Sequence, residues 1–465
     1  GGCVQATNKN RFVAIRTFRK LLDALAGRWP LVLFALSLLG AGWVLGVLGA
    51  NRDLFPYPQV TKVVREARQG LGLIGEVTGQ TRPWWYEDFD TPENPGVVHD
   101  RASMEPGLTL VLGMDKDNEL MARVVDRDGG VVHSWDIDWF DLWPDAEHLP
   151  EPRVPKSRPG AQIHGAVLTP DGHLVFNFDE LGMMRVDGCG EVVWRLPVQT
   201  HHSLNWNSDT GSFWTSSLRI LNDDPPGFPN HRAQFIEYLV AEVSPDGELL
   251  QEISMMDLLM DSGLSGLLYL STTNNRGTAV TGDTLHVNDV ELFPSTMSPG
   301  VFEPGDIMVS VRNINAVIVF DAETRAAKFM SVGTMLRQHD PDFVDGNTIS
   351  VFDNNNLHPM VESQSRIIRI DARDGSVATA YAGSAENPFF TNIMGKHQLL
   401  QNGNMLITES RAGRAFEVNP EGRMVWEYIN AVEEGVVAVL SDAQRLGADF
   451  DQPFFTALQD ACPAE

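Results

Sequence analysis

Five histidines hold one recurring place in this 465-residue sequence. His164, His202, His286, His339 and His397 each open a unit of short apolar runs separated by Gly or Asn turns. An imidazole titrates close to neutral pH, so it can move a proton, attack an electrophile or ligate a metal. A single histidine at such a place is more often structural, bonding the backbone of a neighbouring unit. These five have differing polar neighbours, among them Asn288, Asp340 and Lys396. A purely structural repeat converges on one flanking pattern, so the side chains are expected to share a cavity. His201-His202, or three of the histidines together, could also hold a metal. Zinc sites usually add carboxylate or thiolate ligands with their own hydrogen-bonded support. Neither a metal nor another cofactor is expected.

The elements that must position these residues are short strands. The stretch from His397 to Ile429 has an apolar strand, an Asn-Gly turn, a second strand, Ala415 to Val418, another Gly turn and Val425 to Tyr428. That is four antiparallel strands with ordinary hairpin turns. The template recurs from His164, His202, His286 and His339, and a copy without a leading His runs from Gly107 to Asp136. Six such units predict an all-β fold, a six-bladed β-propeller whose innermost strands line a central channel. A β-sandwich would not repeat this order, and no alternation of strands with long helices supports an α/β fold. The acidic turns at 126–129, 170–172 and 371–375 lack the oxygen spacing of a calcium loop and are expected to be hairpins. Asp353 to Asn356 reads as a tight turn.

Residues 30–50 run without a charge, about the ~20 residues that cross a bilayer. Core helices normally keep a polar stripe, so a transmembrane helix is expected, although Gly46, Gly49 and Ala50 also resemble a cleavage site. The preceding segment has six basic residues and one acid, Asp23, which places it in the cytoplasm. The expected order is a cytoplasmic segment 1–29, the membrane helix 30–50, a linker 51–105, the propeller 106–430 and a C-terminal extension 431–465 packing on it. The protein is then single-pass in the inner (plasma) membrane, with the propeller periplasmic or extracellular. Trp84, Trp85 and Tyr86 would sit at the membrane interface or pack on the domain. Beyond residue 50 stand 29 basic and 61 acidic residues, a surface that disfavours nucleic acid. Three cysteines exclude a disulfide-dense scaffold. Cys189 and Cys462 lie in the exported part, where a disulfide is permitted, and Cys3 in the cytoplasmic part.

The units HVNDVELF…GDIMVSVRNINAVIVFD, RQHDPDFVDGNTISVFDNN…SRIIRID and GKHQLLQNGNMLITES…GRAFEVNPEGRMVWEY resemble the bacterial arylsulfotransferase family. The resemblance covers roughly residues 105 to 450. It implies a six-bladed propeller that moves a sulfuryl group from an aryl sulfate to a phenol, without an adenosine-phosphosulfate donor, by a ping-pong route through sulfohistidine. Such transfer depends on positioning and on cationic hydrogen bonds to the equatorial oxygens, for which Arg offers a planar fork and Lys a point charge.

By this resemblance His339, in Gln338-His339-Asp340, is the nucleophile, and His286 and Asn288 donate to the sulfate oxygens. Arg312 is the sulfate-binding arginine, and His202 a further channel histidine, with His201 leaving its register open by one. Lys396 is a channel lysine, and His397 stands where the better-known branch has a hydroxyl residue. His164, at the same register, joins the substrate-binding set. Small aryl sulfates and phenols are the implied partners; oligomeric state and any membrane partner stay open. The insertion 223–232 and the stretch 255–271 are expected to shape a different channel mouth. A competing reading is an inactive, membrane-anchored propeller used for docking or assembly. A scaffold has no reason to keep a cationic channel inside an anionic shell.

Overall fold

Asp-led turns close several of the hairpins. At 126–130 the Asp126 carboxylate accepts from the amides of Asp128 and Gly130, at 2.9 and 2.8 Å. Gly129 there has φ +83°, and a Cβ on it would stand 2.6 Å from the Gly96 nitrogen, so the turn requires glycine. Asp371 accepts from the Arg373 amide in the same way. These carboxylates complete their own turns, as hairpin chemistry predicts.

The computed structural model describes residues 29–52, 82–270, 279–321, 323–356 and 364–463. The chain divides into two compact units, Gly1–Pro83 and Trp84–Glu465. In the first, a 24-residue α-helix runs over Trp29–Arg52 and contains the expected span 30–50. Leu33, Phe34, Leu38, Leu39 and Trp43 on it are exposed. Several of its side chains lie outside the described residues, and among the described residues no helix is long and apolar enough to cross a membrane. Residues 1–28 of the expected cytoplasmic segment 1–29, with Cys3, and residues 53–81 of the expected linker also lie outside them.

The second unit is all-β. Six sheets of four or five strands follow one another, antiparallel but for Val280–Gly282, which pairs parallel with His231–Val243. The first strand of each is β1 (Ile163–Leu168), β2 (Thr200–Trp206), β3 (Val287–Leu292), β4 (His339–Asp345), β5 (Lys396–Leu399) and β6 (Leu440–Arg445). Each of these strands touches the next, and β6 returns to β1, so they form a closed ring. Each pair of neighbouring sheets buries one apolar layer. Between the β1 and β2 sheets it holds Val175, Met183, Leu204 and Phe213; between the β3 and β4 sheets, Met308, Val319, Phe343 and Val351. Sheets apolar on both faces need a partner on each side, and a closed ring gives every sheet two.

A tryptophan on the fourth strand counted from the ring repeats a second device. Trp135, Trp194 and Trp426 donate their indole N–H to a turn carbonyl of the following sheet, at Asp187, Pro245 and Arg127, over 2.8–3.0 Å. The Trp194 indole stacks so closely on its turn that a Cβ on Gly247 would lie 2.5 Å from the ring.

Two boundaries differ from the sequence expectation. Leu440–Arg445, assigned to an extension, pairs with Thr109–Met114 and is the inner strand of the sheet at 109–135. This explains why the copy from Gly107 lacks a leading histidine: its inner strand comes from the other end of the chain. Likewise Gly96–Val98, assigned to the linker, pairs with Met424–Ile429. The aromatic run packs on the folded body, with Trp85 Nε1 donating to Asn118 and the Tyr86 hydroxyl to the Asp115 carbonyl. Cys189 and Cys462 form a disulfide with Cα atoms 5.5 Å apart. It ties a turn of the β1 sheet to the segment after helix Gln452–Asp460.

Candidate functional site

Bulges turn five of the six inner strands towards one point. Ladder pairing slips between Ile163 and Ala166 in β1, His201 and Leu204 in β2, and Val287 and Asp289 in β3. It slips again between His339 and Pro341 in β4 and between Leu440 and Asp442 in β6. The slips free His164, His202, Asn288, Asp340 and Ser441. All five line one narrow cavity together with His339 and Lys396. A bulge re-aims a side chain, and here it does so repeatedly. His202, His286 and Asp340 also hold left-handed φ values of 56°, 54° and 47°, a strain that recurs at functional sites.

β5 pairs without a slip, so its successive side chains face opposite ways. Lys396 faces the cavity and His397 therefore does not, contrary to its expected contact with substrate. The His397 ring is buried between Ser350 Oγ, 2.7 Å from Nε2, and Asp340 Oδ2, 3.0 Å from Nδ1. Of the histidine pair it is His202 that lines the cavity; the His201 ring is buried beside it, with Nδ1 2.7 Å from His202 Nδ1 and 3.3 Å from Ser216 Oγ.

The imidazoles touch one another. Ring centroids are 4.2 Å apart for His164 and His202, 5.0 Å for His202 and His286, and 6.4 Å for His202 and His339. Burial holds His339 well below the usual histidine range, and the nearby Arg312 charge adds to this. Burial and the His164 charge do the same for His202. Both rings are neutral at neutral pH. At Asp179, burial works to raise the carboxyl, but His164 outweighs it and holds the group at about 2.

His339 has a fixed tautomer. Its Nδ1 lies 2.7 Å from Asn354 Oδ1. The Asn354 amide nitrogen donates to the Thr391 and Met394 carbonyls at 3.0 and 2.7 Å, so its oxygen is the end that faces the ring. An amide oxygen only accepts. The proton is therefore on Nδ1, and Nε2 keeps its lone pair. Asn354 was read from sequence as part of a turn; no repeat register marks it.

The cations differ in availability. Lys396 Nζ is held 3.0 Å from Asp340 Oδ1. Arg312 makes no ion pair among the described residues, and its Nε is buried without a partner. It stands beside the cavity, its backbone N–H donating to the His286 carbonyl at 2.9 Å. His286 is likewise beside the wall, with Nδ1 2.6 Å from Asp283 Oδ2 and a buried Nε2 without a partner. Asn288 donates to the Gln338 carbonyl at 2.8 Å, leaving its second N–H and a buried, unpartnered oxygen. Among the described residues two groups could hold a metal by geometry, His164 with Asp179 and His202, and Asp340 with Asp342 and His397.

A family profile described as Arylsulfotransferase (ASST) matches residues 165–431, more than half of the chain. The chain belongs to the arylsulfotransferase family. Membership supports sulfotransferase activity at family level. No curated protein matches this chain. Among solved structures it is similar to a Bacteroides caccae protein of unknown function, at 11% identity and TM-score 0.46, over 73% of this chain and 98% of that one. The WD40 β-propeller domain of Doa1 is also similar, at 11% identity and TM-score 0.37, over 74% and 86%. A streptogramin B lyase shares 11% identity at TM-score 0.36, over 76% and 90%. Likeness at this level carries nothing about activity.

Proposed function

We propose that this arylsulfotransferase is a six-bladed β-propeller, held at a membrane by the helix within Trp29–Arg52 and exported with the N-terminus inside. The closed ring of six sheets supports the blade count, and the disulfide supports an oxidising compartment. The enzyme moves a sulfuryl group from an aryl sulfate to a phenol in two displacements and uses no adenosine-phosphosulfate. One observation carries this reading: a neutral His339 whose Nε2 lone pair is free because Asn354 holds the proton on Nδ1.

In the first displacement Nε2 of His339 forms a bond to sulfur as the sulfur–aryl oxygen bond breaks, giving sulfohistidine and a phenolate that leaves as the phenol once it takes up a proton. In the second, the acceptor oxygen takes the group and Nε2 is restored. Charge on the transferring oxygens is met by Arg312, the unpaired cation, with Lys396 and the second N–H of Asn288. Arg is suited to a fork-like contact with two oxygens. Splitting one transfer into two gives ping-pong kinetics.

The test is purified protein with 4-nitrophenyl sulfate and phenol, following nitrophenolate release. The reading expects phenol-dependent turnover with parallel double-reciprocal lines, unchanged by added adenosine-phosphosulfate. Absence of any transfer by a folded protein would favour the scaffold reading, and intersecting lines would favour direct transfer.

A further inference from the structure

Asp283 lies outside the repeat register, between the strand Val280–Gly282 and β3. Its two carboxylate oxygens are both committed. Oδ2 is 2.6 Å from His286 Nδ1, and Oδ1 accepts the Tyr238 hydroxyl at 2.9 Å. Tyr238 is buried, 1% exposed, and comes from a different sheet, on strand His231–Val243. The Asp283 backbone carbonyl accepts from Asn313 Nδ2 at 3.1 Å, next in sequence to Arg312. The carboxylate is thus fixed from two sides. A carboxylate accepts only, so the proton between it and His286 belongs on Nδ1. Nε2 of His286 is left as the working nitrogen, buried, without a partner and beside the cavity wall.

We propose that Asp283, pinned by Tyr238, is a positioning residue that makes His286 the proton carrier of sulfuryl transfer. The inference rests on the arylsulfotransferase reading and adds a path for the proton. In the donor half-reaction the His339 lone pair forms the nitrogen–sulfur bond, and the electron pair of the breaking sulfur–oxygen bond goes to the aryl oxygen. In this step His286 enters as the imidazolium, with a proton on each ring nitrogen, and the aryl oxygen takes the Nε2 proton and leaves as a phenol. In the acceptor half-reaction the phenolic proton passes to His286 Nε2 as the oxygen–sulfur bond forms and the nitrogen–sulfur pair returns to His339. The proton lent in the first half is regained in the second. Asp283 stabilises the imidazolium that precedes the first half and is restored by the second, holds the Nδ1 proton of the neutral ring in between, and keeps Nε2 aimed.

The experiment compares full-length wild type, Asp283→Asn, Asp283→Glu and Tyr238→Phe on a series of aryl sulfates. Leaving groups range from 4-nitrophenol, a good one, to phenol, a poor one, with one acceptor throughout. General acid help matters most for the poor leaving group. Asp283→Asn is expected to lose about 10²-fold in kcat/KM on phenyl sulfate, the lower end for general acid–base catalysis. Its loss on 4-nitrophenyl sulfate should be much smaller. Asp283→Glu should recover part of the phenyl sulfate rate, and Tyr238→Phe should fall between. An Asp283→Asn enzyme slowed equally on every donor, or on none, would overturn the positioning role while leaving the sulfotransferase reading standing. A folded wild type that turns over no aryl sulfate would overturn both.

Discussion

At the scale of single residues, the site works by spending hydrogen bonds to leave chosen atoms unsatisfied. Asn354 uses both its donor positions on backbone so that its oxygen can hold the His339 proton. Asp289 shows the cost of the same crowding. Burial pushes its carboxyl up to about 7, the neighbouring Lys396 lowers it, and Asp340 raises it again. An unfolded aspartate titrates near ~3.9. A raised folded value gives stability that is fully present below that pH and is lost as pH rises through about 7. Asp289→Asn cannot ionise and still accepts from Ser203 Oγ, which stands 2.9 Å away. Its melting temperature should exceed that of wild type at pH 8 and match it at pH 4; a difference independent of pH would remove the ionisation argument. His164, His202 and His339 were legible because they share a register in the repeat, and Asn288 and Lys396 because they flank it. Asn354, Asp283 and Tyr238 were not, because they reach the histidines from loops and a neighbouring sheet, at spacings no repeat encodes.

At the scale of elements, the strand bulge explains both the success and the failure of reading the repeat. A regular strand alternates its side chains, so one residue per two faces the ring's centre. The slip in five inner strands lets a residue out of that alternation, and the cavity is lined by the residues so released. No slip occurs in β5, and there the repeat misled: His397 matches its counterparts in sequence and faces the other way. Sequence periodicity carries the strands but not the one-residue slips between them. The outer-strand tryptophans are the complementary device, joining sheet to sheet. Trp194→Phe keeps the ring and loses the bond to the Pro245 carbonyl. It should cost about 1 kcal/mol in denaturant-derived stability, the usual net worth of one hydrogen bond, with transfer activity kept. A loss of activity without a loss of stability would mean that this contact serves the site instead.

At the scale of the whole folded unit, closure is the decisive event. The inner strand of the sheet at 109–135 arrives from residues 440–445, so the ring cannot close until the last strand is in place. The disulfide between Cys189 and Cys462 spans 273 residues and fastens the chain just beyond that strand. Long closed loops gain most from a cross-link, about 2–5 kcal/mol. Cys462→Ser, or reduction of the native protein, should lower stability by that order and expose the 440–445 amides to hydrogen exchange ahead of other inner strands. Uniform exchange across all six would show that the bond does not guard the closure. The covalent route through His339 is tested most directly by mass spectrometry of enzyme quenched during turnover with an aryl sulfate and no acceptor. The account predicts one added sulfuryl group on the peptide containing His339, discharged by phenol and absent in a folded His339→Asn. An active enzyme carrying the label on another histidine, or on none, would contradict it.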